Sequence, residues 1–260
     1  MTVSYEADER RKRAVERAGT IDKLVGLKGK RVLEVGCGHG DVCRVMAEEY
    51  GCEVVGVEIL PLNTWEDLAK VPNLKLAETD ISQNPDAFEE NSFDLVVSFV
   101  VWEHMRHPWS ALKNCQRFLK PDGKKYLHAY LCGWPMLSHL RGEIDTPWSH
   151  LLMSEKEALV KVGRPELPWY YYCNRLSYQH YRNYFRRLGF YIEYEVLIRE
   201  PVDEKFLSEQ DRILGLYPDF DLRLHGFITI LGFDEEHPKQ PIADPVYRIR
   251  TPSKYQDAGI

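Results

Sequence analysis

The sequence has no pair of cysteines at C-x-x-C spacing, no apolar run near the ~20 residues of a membrane span, and no surplus of positive charge. Its six cysteines are scattered (Cys37, Cys43, Cys52, Cys115, Cys132, Cys173), so their spacing argues for neither zinc nor dithiol redox chemistry. A chain of 260 residues also has no need of disulfide staples, and free thiols in a reducing compartment are expected. Lys and Arg number 34 against 40 Asp and Glu, a formal charge of -6. That balance gives a phosphate polymer no general attraction and counts against nucleic acid as a partner. The opening stretch MTVSYEADERRKRAVERAG is charged throughout and has no apolar centre, so no secretory signal is expected. A soluble, cytoplasmic protein is expected, with residues 1–260 forming one domain.

What is present is a rhythm. Forty-four per cent hydrophobic residues suffice for a packed core. A charge-rich stretch over 5–18, ending at Gly19, predicts a solvent-facing helix stopped by glycine. Short apolar runs then alternate with amphipathic segments. Strands are expected at 31–36, 53–59, 74–80, 93–100 and 124–131, and helices at 41–51 and 109–123, the latter closing on a Pro-Asp-Gly turn. Alternation of this kind predicts a parallel sheet with helices on both faces, a three-layer α/β/α Rossmann-like sandwich.

The rhythm breaks twice, at 132–175 and at 201–225. The first break holds Trp134, Trp148 and Trp169, four prolines and the run PWYYY. Both are too long for simple connections and are expected to form a substrate-side lid. A helix at 177–189 and strands at 191–198 and 226–233 restore the pattern, and an extended tail is expected over 234–260.

After the first strand the chain reads VLEVGCGHGDV. Glycines at the mouth of a buried strand imply that a ligand approaches the backbone closely. A dinucleotide fingerprint is absent, because its third glycine would fall at Asp41 or Cys43, and no Gly-Lys-Ser/Thr of a P-loop follows. The pattern is instead Glu34, Gly36, Gly38, Gly40. Glu58 ends the second strand, where a carboxylate can accept from both ribose hydroxyls, and Asp80 ends the third. Carboxylates at successive strand ends line one crevice, the usual ligand site of such sheets.

The pieces VLEVGCGHG, VVGVEI, ETDI, SFDLVVSFVVWEHM and ALKNCQRFLKPDGKKYL, in this order, resemble the class I S-adenosylmethionine-dependent methyltransferases, in particular the branch acting on small molecules. The resemblance implies a seven-stranded, mostly parallel sheet whose last strand is antiparallel. It implies that Gly36, Gly38 and Gly40, flanked by Cys37 and His39, run against the methionine and ribose parts of S-adenosylmethionine. Glu34 would orient the loop and reach the methionine amino group. Glu58 would hold the ribose, Ile59 beside it would also touch the cofactor, and Asp80, with the backbone of Ile81 beside it, would hold the adenine. Ser98 and Phe99 would lie under the methionine end, and S-adenosylhomocysteine would be the product.

The acceptor is narrowed by exclusion. Neither Asn-Pro-Pro-Tyr after the fourth strand nor any Pro-Cys occurs, which removes the usual routes to nucleobase methylation. A hydroxyl acceptor needs a base, and His150, among the aromatics of the first insertion, and His104, just past the fourth strand, are the candidates, ahead of His107 and His139. Glu143 and Asp145 raise the alternative of a Mg²⁺ ion acidifying a hydroxyl. The expected activity is O-methylation of a sugar, glycan precursor or related natural product, so the partner is a small-molecule or saccharide acceptor. A homodimer is left open. Two rivals remain: a methyltransferase modifying RNA or protein, which requires a basic patch around the crevice, and a cofactor-binding protein without catalysis.

Overall fold

The most apolar runs of the chain become the centre of a sheet covered on both faces. The computed structural model describes residues 2–140, 142–167 and 171–233. Its strands are β1 (Arg31–Val35), β2 (Glu53–Glu58), β3 (Leu74–Glu78), β4 (Phe93–Phe99), β5 (Leu119–Tyr130), β6 (Phe190–Ile198) and β7 (Gly226–Phe233). They form one seven-stranded sheet in the order β3-β2-β1-β4-β5-β7-β6. The pairs from β3 through to β5 are parallel, and β7 runs antiparallel to both β5 and β6. The chain order reverses between β1 and β4, which opens the crevice at their carboxyl ends.

The helices are α1 (Thr2–Val25), α2 (Asp41–Tyr50), α3 (Trp65–Leu68), α4 (Pro108–Phe118), α5 (Ser149–Leu152), α6 (Glu155–Val162), α7 (Tyr178–Arg187), α8 (Glu204–Ser208), α9 (Asp211–Leu216) and α10 (Asp219–Leu222). On one face Ala14, Ala18 and Ile21 of α1 and Val45 and Met46 of α2 pack on Val32, Val54 and Leu95. On the other, Leu112 and Phe118 of α4 and Tyr181 and Phe185 of α7 pack on Leu33, Val96, Leu127 and Phe227. The expected three-layer α/β/α sandwich is the observed one.

Three expectations are corrected. The first helix does not stop at Gly19 but runs on to Val25, because Ala14, Ala18 and Ile21 recur at helical spacing and are buried. It ends at Gly26, whose left-handed φ of 69° and amide bond to the Asp22 carbonyl (2.9 Å) close the last turn. The helix over 109–123 ends at Phe118, and β5 starts at Leu119 rather than 124. Phe93 pairs with Leu119 but Leu95 with Lys124, so the Pro-Asp-Gly residues bulge out of a strand instead of joining helix to strand. Tertiary pairing of the apolar Leu119 against β4 outweighs the local turn signal.

The insertions pack against each other. Trp148 and Leu151 of the first share a core with Leu207, Ile213 and Leu222 of the second. Any side chain at Gly133 would collide with the Asp221 carbonyl, so the two backbones touch there. Leu140, Ile144, Ala158, Leu167 and Tyr171 make a further cluster. Ser154 caps α6, trading hydrogen bonds with Glu157. The expected tail over 234–260 lies outside the described residues, as do Trp169 and Tyr170 of the aromatic run. Among the described residues no helix is long and apolar enough to cross a membrane.

Candidate active site

Gly36, Gly38 and Gly40 all adopt left-handed φ, at 74°, 51° and 76°. Their reasons differ. A Cβ on Gly36 would collide with Val101, and one on Gly40 with Leu68, so the protein itself fills those spaces. At Gly38 a Cβ would meet nothing within 4 Å. Of the three, Gly38 is the position at which a ligand can reach the backbone. Cys37 points its thiol into the core beside Gly56, while His39 lines the cleft, near Thr64, whose hydroxyl donates to the His39 carbonyl (3.0 Å). The Trp65 indole donates to the Gly38 carbonyl at 2.9 Å and fixes the loop from outside.

Glu34 is 3% exposed, on the floor of a cleft of about 200 Å³ whose walls include Gly36, Gly38, Arg17 and Phe99. Ligand sites commonly run to roughly 300–1,000 Å³, so this space suits one end of a nucleoside cofactor. Burial pushes the Glu34 carboxyl up to about 7, and the Cys43 thiol, donating at 2.8 Å, and the Arg17 guanidinium pull it partly back. Glu58 accepts from the amides of Gly38 (3.2 Å) and Ile59 (2.8 Å), tying the end of β2 to the glycine loop. Ile59 beside it stands 52% exposed, an apolar surface at the crevice. Asp80 lies two residues past the end of β3, exposed, its carboxylate accepting from the Ser82 amide (2.8 Å) and hydroxyl (2.7 Å). Ile81 is buried, and its carbonyl takes the Asn114 side-chain amide at 2.8 Å. Ser98 is fully buried and donates to the Val35 carbonyl (2.8 Å), holding β4 to β1 below the cleft.

The cleft also has a wall absent from the sequence-based expectation. Arg10, Arg13 and Arg17 of α1 line it. Arg17 lies over the Phe99 ring at 4.7 Å, and Arg10 pairs with Asp41 at 3.0 Å. Their spacing by three and four residues, in register with buried Ala14 and Ala18, is the signal that could have marked this face.

Beyond the carboxyl end of β4, Val100 has φ 57°, a strained conformation for a β-branched residue. The next turn, Trp102–His104, is clamped by Asn174, whose amide donates to the carbonyls of Trp102 (2.6 Å) and Met105 (3.2 Å) and whose backbone N–H donates to that of Glu103 (2.7 Å). That clamp brings Cys173 to 3.8 Å from His104 Nδ1, with the His139 ring 5.1 Å from that of His104. Burial lowers His104 to about 4 with a contribution from His139, which is itself lowered, so both imidazoles are neutral at pH 7. Tyr130 and Trp134 stack at 4.0 Å, with His139 against the Trp134 edge. His150 stands apart: 1% exposed, it meets the Cys132 carbonyl through Nε2 at 3.0 Å, and burial holds it at about 4. Glu143 pairs with Arg164 (2.8 Å), and Asp145 caps the Gly142 amide (2.9 Å), so both acids serve the loop itself. Among the described residues, the metal-ligating side chains that the structure gathers in a group of three are His104, His139 and Cys173.

The strand order with its reversed β7, the glycine turn after β1 and the carboxylates after β2 and β3 define the architecture of class I S-adenosylmethionine-dependent methyltransferases. The chain belongs to that family: the family model for the methyltransferase domain matches residues 5–195. It is similar to the ubiquinone biosynthesis O-methyltransferase of Actinobacillus pleuropneumoniae serotype 7, with 34% identity over 108 residues, 39% of this chain and 46% of the relative. The corresponding protein of Vibrio cholerae serotype O1 is 32% identical over 168 residues, 55% of this chain and 66% of the relative. The chain thus spans about half the length of the curated relatives it matches. A solved structure of 1,6-didemethyltoxoflavin-N1-methyltransferase from Burkholderia thailandensis, with 1,6-didemethyltoxoflavin and S-adenosylhomocysteine bound, shares the fold at TM-score 0.53 and 16% identity, over 90% of this chain and 86% of that one. The names of these relatives lend no support to a saccharide acceptor.

Proposed function

We propose that this protein transfers the methyl group of S-adenosylmethionine to a hydroxyl oxygen of a small-molecule acceptor. The observation that carries this reading is the cleft at the reversal point of the sheet, where open space over Gly38 adjoins Glu34, Arg17 and Glu58. The donor set fits: a buried carboxylate for an ammonium, guanidinium groups for a carboxylate, and a strand-end carboxylate for a pair of ribose hydroxyls. When bound, the cofactor supplies a methyl group already activated on a sulfonium, and S-adenosylhomocysteine remains.

The protein's work is then alignment and exclusion of water, which can supply up to roughly 7–11 kcal/mol. Glu58 exchanges its amide partners for the ribose, Ile59 flanks the adenine, and Asp80 with the Ile81 amide takes its edge. Phe99 walls the methionine end. The cap of 132–175 and 201–225 covers the acceptor, and the stacked Tyr130–Trp134 pair offers it a flat apolar face. That face suits an aromatic ring, in keeping with the relatives' names, as well as a sugar ring. Of the two candidate histidines His104 is the one we assign to the acceptor: it lies partly exposed on the turn beyond β4, whereas His150 is enclosed by the cap's own core.

The test is transfer of labelled methyl from S-adenosylmethionine into fractions of a cell extract. Label in phenolic or saccharide small molecules supports the reading. Label confined to protein or nucleic acid contradicts it.

A further inference from the structure

We propose that His104, His139 and Cys173 form a binding site for one transition-metal ion of the zinc class. One donor atom from each lies within 4.8 Å of the other two. A tetrahedral ion with Zn–S near 2.3 Å and Zn–N near 2.0 Å holds its sulfur and nitrogen ligands about 3.5 Å apart. Cys173 Sγ and His104 Nδ1 already stand at 3.8 Å, so closing on an ion needs only side-chain adjustment. Two imidazoles and a thiol are a zinc donor set, soft enough to disfavour Mg²⁺.

The three residues come from separate parts of the chain, and the Cys173 thiol now donates to the Leu137 carbonyl at 3.3 Å, a weak bond that an ion would replace. His104 sits on the turn beyond β4. His139 occupies a left-handed φ of 54°, unusual for a residue with a side chain. Cys173 is fixed by its neighbour Asn174, which clamps the insertion to that turn.

Three protein ligands leave a fourth position, as in catalytic zinc sites. The role of that position rests on the transferase reading. It would take the acceptor hydroxyl, which loses its proton to solvent as the oxygen–carbon bond forms and the carbon–sulfur bond breaks. Binding of the metal does not rest on that reading.

The experiment titrates Co²⁺ into chelator-treated full-length protein and follows its visible and near-ultraviolet spectrum, with S-adenosylmethionine affinity measured on the same samples. One equivalent should bind, with a thiolate-to-metal charge-transfer band. Cys173→Ser should lose that band, and His139→Asn should weaken binding at least tenfold, while a Glu143→Gln/Asp145→Asn variant binds as the parent does. Retained cofactor affinity certifies that a variant is folded. Absence of saturable Co²⁺ binding to the parent, or binding that survives both ligand substitutions, overturns the site. Loss of cofactor affinity in the parent itself would overturn the transferase reading and leave the metal result standing on its own.

Discussion

Glu34 and His150 are both buried polar groups, and they belong to regions built by different means. Glu34 lies on β1 under the glycine loop, held by the Cys43 thiol of α2, and its carboxylate faces an open cleft and Arg17 of α1. His150 lies in the cap, spends one nitrogen on the Cys132 carbonyl and leaves Nδ1 without a hydrogen bond. The backbone repeats the contrast. Around the proposed cofactor cleft the left-handed residues are glycines, which adopt that conformation freely, whereas on the proposed acceptor side Val100, His139, Trp148 and Arg175 adopt it as well as Gly142 and Gly163. Each of the four non-glycine residues costs of order 1–3 kcal/mol and persists only because packing overrides it. Between these two regions, the strain carried by side-chain-bearing residues is thus confined to the proposed acceptor side.

The sharpest way to break the contrast is Trp148→Ala. Trp148 is fully buried, donates to the Gly133 carbonyl at 2.9 Å and joins the two insertions. Its loss should remove roughly 3–5 kcal/mol of stability and abolish acceptor turnover, with S-adenosylmethionine affinity changed by less than about threefold. Chemical denaturation and calorimetry on one sample would read both, and equal loss of cofactor binding would merge the two regions.

The next effect is on pH. His150 falls from 6.5 in the unfolded chain to about 4 when folded, chiefly through burial, with Arg175 and His139 also disfavouring its charge. The unfolded chain thus binds the extra proton between these values, so stability present above about 6.5 is lost as pH falls toward 4. The full effect is roughly 3 kcal/mol. Glu103, pushed up to about 8 by burial, acts in the opposite direction over a higher range. Comparing the parent with His150→Gln cancels that contribution, and the difference in stability should vanish progressively below pH 6. A constant difference would show that His150 does not titrate in the cap.

A smaller effect sharpens the cofactor side. Arg17→Met keeps the apolar contact with Phe99 and removes the charge beside Glu34. It should raise the S-adenosylmethionine Kd about tenfold, some 1.4 kcal/mol, with little change in melting. An unchanged Kd would remove α1 from the site.

What could be read from the sequence follows the same division. The strands and the strand-end carboxylates Glu58 and Asp80 declare themselves in short runs, because the apolar pattern of a buried strand is local, whereas the reversed β7 is implied only by the family resemblance. Arg17 escaped notice because a charged helix reads as solvated until Ala14, Ala18 and Ile21 are seen to bury its other side. The bulge at 120–123 escaped because Pro-Asp-Gly is a strong local turn signal and the pairing of Leu119 with Phe93 is not local. The grouping of His104 with His139 and Cys173 spans 69 positions and depends on the Asn174 clamp, so no spacing could announce it. Glu143 and Asp145, close in sequence and acidic, looked like ligands, but each is committed to a neighbour within the loop region.

The central claim, that the open space over Gly38 belongs to the cofactor, has a direct test in paired alanine substitutions read by melting and S-adenosylmethionine titration. Gly36→Ala meets Val101 and a left-handed φ, and should cost roughly 2–5 kcal/mol of stability. Gly38→Ala meets only the left-handed φ, and should cost about 1 kcal/mol while lowering cofactor affinity at least tenfold. A Gly38→Ala protein that is stable and binds S-adenosylmethionine as tightly as the parent would contradict the account.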